Sequence, residues 1–287
     1  MKILLLNTDI YSTQRIIFWR ESMSHLYTYV THSERYFPSL LDSCAKHGVR
    51  PVVRGMGDPW EGYVKRHREL LEFLKGLDDH DIVINVDGFD TIVLCPINLI
   101  VRKFKAMQCD LLFSMTADNG NLIQKYVQWK LGFYGEKANA GMFMGYAFKM
   151  REFIEKVLAS GEYNDQIVVN RMLGSIKIDT NQEIFCNVLN TNGLHIYNGE
   201  LRYKNKKPCL LSAPGCVDLR PFLREIGVRT SKLTCNAGQR LKEYYQYFII
   251  EIVLLLILFY IVLKRMRKRW TRRVALHRTD SNTVYIV

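Results

Sequence analysis

A chain of 287 residues, 48% of them hydrophobic, can bury a full α/β core, which excludes a disordered or low-complexity protein. Its net charge of +12 first suggests nucleic acid, but eight Lys or Arg against one Asp lie between Lys264 and Val287, a net +7 that leaves +5 for residues 1–263. With no zinc-finger spacing, no aromatic RNA-binding signature and no basic helix outside that tail, no nucleic-acid partner is expected.

In chain order, Ile3 to Leu6 is an apolar run ending in Asn7-Thr8-Asp9, the pattern of a central parallel strand followed by a polar loop. SERYFPSLLDSCAKHG then places Phe37, Leu40, Leu41 and Cys44 at helical spacing, with Pro38 in the first turn and Gly48 as the stop. Val49 to Arg54 reads as a second strand. Val64, Leu70, Leu71, Leu74 and Leu77 line one face of a second helix, and Asp81 to Val86 is a third strand. Such alternation specifies βαβ units and a mostly parallel central sheet.

Ligands of such sheets bind beyond the carboxyl ends of the strands, and the third strand ends at Asp87-Gly88-Phe89-Asp90. Two carboxylates three residues apart can be turned onto one ion, and oxygen ligands completed by substrate phosphates suit Mg²⁺ or Mn²⁺. Asp and Gly also favour a plain β-turn. The apolar residues on both sides weigh toward function, because an acidic pair in that setting costs desolvation unless something compensates. Further on, Asn139-Ala-Gly-Met-Phe-Met-Gly-Tyr-Ala147 alternates small and bulky residues, either for close backbone packing or as a rest for a sugar. Asn164-Asp165-Gln166 opens the helix QIVVNRML, where Asn or Asp serves as N-cap.

The seven cysteines are odd in number and form no C-x-x-C pair. Cys44, Cys95, Cys109 and Cys186 sit in apolar runs and read as free buried thiols, with disulfides in the second half left open. Tyr244 to Leu263 has about the length a helix needs to cross a bilayer, contains only Glu251 as a charge, and runs into KRMRKRWTRR. The N-terminal apolar run is too short for a signal-peptide core. The positive-inside tendency would hold the basic tail in the cytosol, whereas a lone C-terminal span would leave the N-terminal part there. Export of some 240 residues without a signal being the harder step, the expectation is a cytosol-facing domain.

These segments together resemble the glycosyltransferase domain of the collagen-modifying lysyl hydroxylases and their procollagen galactosyltransferase relatives. VDGFDTIVL resembles that family's strand and D-x-x-D motif, and NAGMFMGYA its L-N-S-G-G-F-I-G-F-A segment. NDQIVVNRML resembles its D-D-Q helix start, IKIDTNQEIFCNVL the stretch leading into I-F-Q-N-L, and Lys65 with its helix the Q-K-V-R segment. The resemblance covers about residues 1 to 225 and implies a GT-A-like nucleotide-sugar fold. It implies that Asp87 and Asp90 hold the metal and UDP, with Phe89 packed near the nucleotide. It also implies that Asn164 and Asp165 face sugar or acceptor and that Trp60 stacks on the uracil, with Lys65 and Asn139 completing the donor site. The family's V-V-H-G-N-G-P-T-K segment departs here: Ser212 stands for its metal-binding His and Asp218 for its diphosphate Lys, with His195, Lys204, Lys206 or Lys207 as candidate substitutes.

The resulting expectation is a catalytic domain at 1–228, a linker at 229–243, a transmembrane helix at 244–263 and a basic tail at 264–287. The domain would use Mn²⁺ or Mg²⁺ to move a hexose from a UDP-sugar to a hydroxyl acceptor on protein or glycan. The alternative is a non-catalytic, membrane-tethered sugar- or nucleotide-binding protein of the same fold.

Overall fold

The computed structural model describes residues 23–130, 135–162, 164–215, 217–231, 249 and 252–270. The strand expected at Ile3 to Leu6 lies outside them. Among the described residues the first strand of the sheet is β1 (Ser24–Tyr29), whose last four residues are buried. There follow α1 (Phe37–Lys46), β2 (Pro51–Arg54), α2 (Tyr63–Lys75), β3 (Ile82–Asp87), β4 (Thr91–Val93), α3 (Ile97–Ala106) and β5 (Leu111–Met115). The second half holds α4 (Leu122–Lys130), β6 (Ala138–Tyr146), α5 (Ala147–Ala159), α6 (Asp165–Arg171), β7 (Lys177–Asp179), β8 (Phe185–Asn187), β9 (Leu194–Tyr197), β10 (Glu200–Tyr203), β11 (Leu210–Ser212) and α7 (Arg220–Glu225).

The local chemistry follows the sequence closely in the first helices. Pro38 enters the first turn of α1, where its missing N–H costs nothing, Lys46 sits at the negative end, and the chain leaves through Gly48 at φ +66°. In α2 the buried positions are Arg66, His67, Leu70 and Leu74, so the inward stripe begins with two polar residues. Beyond β8, Asn198 and Gly199 both take positive φ and turn β9 back on β10 as an antiparallel pair.

The main sheet has the order β2-β1-β3-β6-β5-β7. β1 pairs parallel with β2 and β3, and β5 with β7, but β6 runs antiparallel to both β3 and β5. The sheet is therefore mixed, with one reversed strand at its centre, where a mostly parallel sheet is expected. That reversal brings the start of β6 to the same sheet edge as the ends of β1, β3 and β5. A second, three-stranded sheet has the order β4-β11-β8.

Each face of the main sheet is covered, as an α/β domain requires. One side packs Leu70 and Leu74 of α2, Met150, Phe153 and Ile154 of α5 and Val168 of α6 onto Val83, Phe113 and Phe143, the last two rings stacked 4.7 Å apart. The other packs Leu40 and Cys44 of α1, Ile100 and Phe104 of α3 and residues of the small sheet onto Leu26, Ile84 and Met144. Cys95 and Cys209 are joined as a disulfide, tying the end of β4 to the start of β11, so Cys95 is not the free thiol its apolar run suggested. Cys44 and Cys186 are free and buried, and Cys109 is free and partly buried.

The chain divides into compact units at Met1–Cys235 and Asn236–Val287. In the second, residues 252–270 form a helix whose side chains are exposed along its length. Residues 244–248, 250 and 251 of the expected span lie outside the described residues. Among those described, no helix is long and apolar enough to cross a membrane.

Candidate active site

The site grows from the end of β3. Tyr29 of β1 lies beside Asp87 in register, and Thr28 Oγ1 donates to the carbonyl of Val86 at 2.9 Å. Asp87 Oδ1 accepts the N–H of Phe89 at 3.1 Å, closing the turn that aims the second carboxylate. A Cβ on Gly88 would meet Val30 Cγ1 at 2.1 Å and Thr28 Oγ1 at 2.8 Å, so this turn can lie on β1 only with glycine there. The N–H of Tyr36 donates to the Phe89 carbonyl at 3.2 Å and the N–H of Ala213 to the Asp90 carbonyl at 2.9 Å. The turn is thus clamped between the segment after β1 and the segment after β11.

Each carboxylate meets an arginine. Arg66 Nη1 lies 3.8 Å from Asp87 Oδ2 while its Nη2 donates to Asp165 Oδ2 at 2.5 Å. His67 Nε2 lies 3.1 Å from the same oxygen. Burial lowers the pKa of His67 against the opposing pull of Asp165, so the neutral ring donates from Nε2. Burial acts to raise Asp165, but the charge of Arg66 and the His67 bond outweigh it and hold the carboxyl below the usual range. Arg35 Nη2 lies 2.6 Å from Asp90 Oδ1. Both atoms are buried, and this ion pair is the contact they make. Burial and the neighbouring Asp87 push Asp90 up to about 8, with Arg35 opposing.

Next to Asp87 lies the start of β6. Register with β5 slips between Phe113 opposite Phe143 and Ser114 opposite Asn139, so Ala140 to Met142 bulge away from β5. The freed N–H groups find side chains: Ala140 donates to Gln166 Oε1 at 2.9 Å and Gly141 to Asn139 Oδ1 at 2.8 Å. A Cβ on Gly141 would stand 3.8 Å from that of Asp87. Asn164 caps α6 by accepting the N–H of Gln166 at 3.0 Å, which turns Asp165 inward onto Arg66 and His67.

The structure therefore brings together Asp87, Asp90, Asn139 and Asp165, with Phe89 in the turn. Phe89 packs against the core, its ring 5.1 Å from that of His32. Trp60 is half exposed, its ring centroid 6.2 Å from Tyr29 and 5.6 Å from Tyr63, which sets it on the flank beside Asp87's neighbour strand. Lys65 points back to its own loop, 3.0 Å from Glu61 and 3.5 Å from Asp58, and not to Asp87, Asp90 or Asp165.

A divalent ion fits this donor set. Among the described residues no three His, Cys, Asp or Glu converge. Asp87 and Asp90 nevertheless form a close acid pair in which burial and the neighbouring Asp87 disfavour ionisation of Asp90, and one or two carboxylates plus substrate phosphates suffice for Mg²⁺-type binding. Ser212, buried and paired opposite Thr91, adjoins Asp90 through the Ala213 bond. Asp218 is held by Arg220, Nε to Oδ1 and Nη2 to Oδ2 both at 2.7 Å, so it contributes no cation to the site. Lys204 pairs with Asp118 at 2.7 Å and Lys207 with Glu200, while His195 is exposed on β9.

Residues 20–208 match the family described as the PLOD GT domain, more than half of the chain. The chain belongs to that family. No curated protein gives a significant sequence match. Among solved structures, this GT domain is similar to a glycosyltransferase involved in glycosylation of the major capsid of PBCV-1, at 11% identity and TM-score 0.46, covering 71% of this chain and 98% of that one. It is also similar to galactosyltransferase LgtC in complex with donor and acceptor sugar analogues, at 16% identity and TM-score 0.42, covering 76% and 99%. Two residues of this GT domain escape a reading of motifs alone. Arg66 and Leu70 and Leu74 share one inward stripe at i, i+4 and i+8, which places Arg66 and not Lys65 under the site. Arg35 carried no comparable signal.

Proposed function

We propose that this chain is a metal-dependent hexosyltransferase with a GT-A-like fold, moving a hexose from a UDP-sugar to a hydroxyl acceptor such as hydroxylysine or another protein or glycan hydroxyl. The observation that carries the reading is the Asp87–Asp90 turn at the carboxyl end of β3, opposite the bulged Asn139–Gly141 segment, in a chain of the PLOD GT domain family. Asp87 and Asp90 would hold Mn²⁺ or Mg²⁺, which as a Lewis acid would stabilise the charge growing on the departing diphosphate.

The chain's own residues position the donor. Arg66, fixed by Asp165 and His67, presents its remaining edge to Asp87 and orients that carboxylate. Asp165 acts in this arrangement as a positioning residue, since its Oδ2 already takes both bonds. Gly141 lets the Asn139 amide lie close beside Asp87, and Trp60 and Tyr63 offer aromatic faces on the flank. In the reaction the acceptor oxygen bonds to the sugar's anomeric carbon, the bond from that carbon to the diphosphate breaks, and the hydroxyl proton passes to a base.

The reading extends to a membrane anchor at 244–263. Its support is the run of exposed apolar helix at 252–263 leading into Lys264, Arg265, Arg267, Lys268 and Arg269. The Cys95–Cys209 disulfide favours an oxidising compartment for the domain, opposite to the cytosol, with the basic tail on the cytosolic side. One assay tests the activity: hydrolysis and transfer across a panel of UDP-sugars, with and without Mn²⁺. Turnover of one donor that needs the ion supports the reading, and no turnover of any donor by a chain that binds UDP makes it a binding protein.

A further inference from the structure

The segment where the resemblance implies a diphosphate lysine carries Asp218 here, already paired with Arg220. The cation nearest the acidic turn comes from the other side of that segment. Arg35 follows β1, and its neighbour Tyr36 is bonded to both walls: its N–H to the Phe89 carbonyl, its hydroxyl to the Val217 carbonyl at 2.6 Å, with the N–H of Leu219 donating to that hydroxyl at 2.6 Å. Arg35 itself takes φ +52°, the left-handed region that non-glycine residues enter only when their surroundings impose it, and its carbonyl is held by Ser231 Oγ. The backbone is thus fixed in a costly conformation that aims a guanidinium at Asp90. The head group rests on Asp90 through Nη2, while its Nε is buried and lacks a hydrogen-bond partner. A guanidinium so placed has donors in reserve, in the planar fork that matches phosphate oxygens.

We infer that Arg35 is the diphosphate-binding cation of this site, resting on Asp90 in the free protein and turning its unused donors to the phosphates of the bound nucleotide. The inference deepens the nucleotide-sugar reading above and rests on it for the presence of a diphosphate. It also explains how Asp218 can stand in the lysine's place without leaving the phosphates uncompensated.

The test is calorimetry on the full chain in detergent, titrating UDP, GDP and inorganic pyrophosphate in Mn²⁺, and Mn²⁺ alone. In Arg35→Gln, UDP and pyrophosphate should each bind about tenfold or more weakly, the scale of a lost charged hydrogen bond. Mn²⁺ alone should bind at least as tightly as to the wild type, since the guanidinium no longer competes for Asp90. Arg35→Lys should recover part of the loss. Unchanged UDP and pyrophosphate affinity in Arg35→Gln overturns the inference, as does a parallel fall in Mn²⁺ affinity, which would mark Arg35 as structural. If the wild type binds pyrophosphate and GDP as well as UDP, the uridine reading fails while the assignment of Arg35 is still decided by the variant. A wild type that binds no diphosphate overturns both.

Discussion

Arg66 and Asp165 meet at 2.5 Å in the interior, and the second terminal nitrogen of the same guanidinium faces Asp87 at 3.8 Å. One buried cation thus couples the acidic turn on β3 to the start of α6. Removing it leaves the buried Asp165 without its charge partner, held by His67 alone among the side chains that bond it. Arg66→Gln should destabilise the domain by about 3–5 kcal/mol, as breaking a buried pair commonly does, measured by urea unfolding. Arg66→Lys should recover little, because an ammonium cannot span both carboxylates. The pair Arg66→Gln with Asp165→Asn should cost less than the sum of the single changes.

Asp87 and Asp90 separate by environment, the first half-buried and the second buried. Asp87→Asn or Asp90→Asn should each abolish Mn²⁺-supported UDP binding in calorimetry while leaving the folded circular dichroism spectrum. Undiminished affinity in both variants would remove the metal from this turn.

Asp90 also ties stability to pH. Its carboxyl is raised to about 8 in the folded chain, by burial and then by Asp87, above the unfolded value. A raised acid contributes stability that is fully present below its unfolded pKa near ~4 and is lost as pH rises through the folded value. Without metal, the wild type should therefore lose stability relative to Asp90→Asn between about pH 5 and pH 8, by an amount on the order of a few kcal/mol. Thermal melting at several pH values in EDTA reads the difference, and a constant gap between the two proteins would contradict the assignment.

How much of this was legible in the sequence depended on whether a signal was periodic or spatial. α1, β2, α2 and β3 follow from apolar spacing, Pro38 and Gly48, and the position of Asp87 and Asp90 follows from where β3 ends. β6 was legible as a strand with small residues, but its reversal was not, since nothing in NAGMFMGYA encodes the direction of its neighbours. The bulge at Ala140 to Met142 needs Gln166, 26 residues away, to satisfy its N–H. Lys65 entered the donor site on the likeness of its helix to the Q-K-V-R segment, yet the helical phase of Leu70 and Leu74 turns Arg66 inward instead. Arg35 and the Cys95–Cys209 bridge depend on contacts between distant segments and left no local trace.

Ser212 offers a gain-of-function test. It is buried on β11 opposite Thr91, one residue from the Ala213 bond to Asp90. An imidazole there would add a nitrogen ligand beside the two carboxylates, so Ser212→His should tighten Mn²⁺ binding by roughly ten- to a hundredfold. Filling a packed position should also cost about 1–3 kcal/mol of stability. Flat Mn²⁺ affinity would show that Ser212 does not face the ion.

The Cys95–Cys209 bond gives the last prediction, because it bears on stability and on cellular placement together. It closes a separation of 114 residues and links β4 to β11, whose pairing sets the segment after β11 against Asp90. Cross-links across loops of that length remove much unfolded-chain entropy, and losing a native one typically costs about 2–5 kcal/mol. Cys95→Ser, Cys209→Ser and the double variant should therefore melt at similarly reduced temperatures, the double no worse than either single, since one bond is lost in each. Reductant should bring the wild type to the same level. In cells, a domain facing an oxidising compartment should show both thiols blocked to maleimide until reduction, because disulfides persist there and not in the cytosol. Both thiols reacting without reduction in denatured extract, where burial no longer protects them, would place the domain on the cytosolic side.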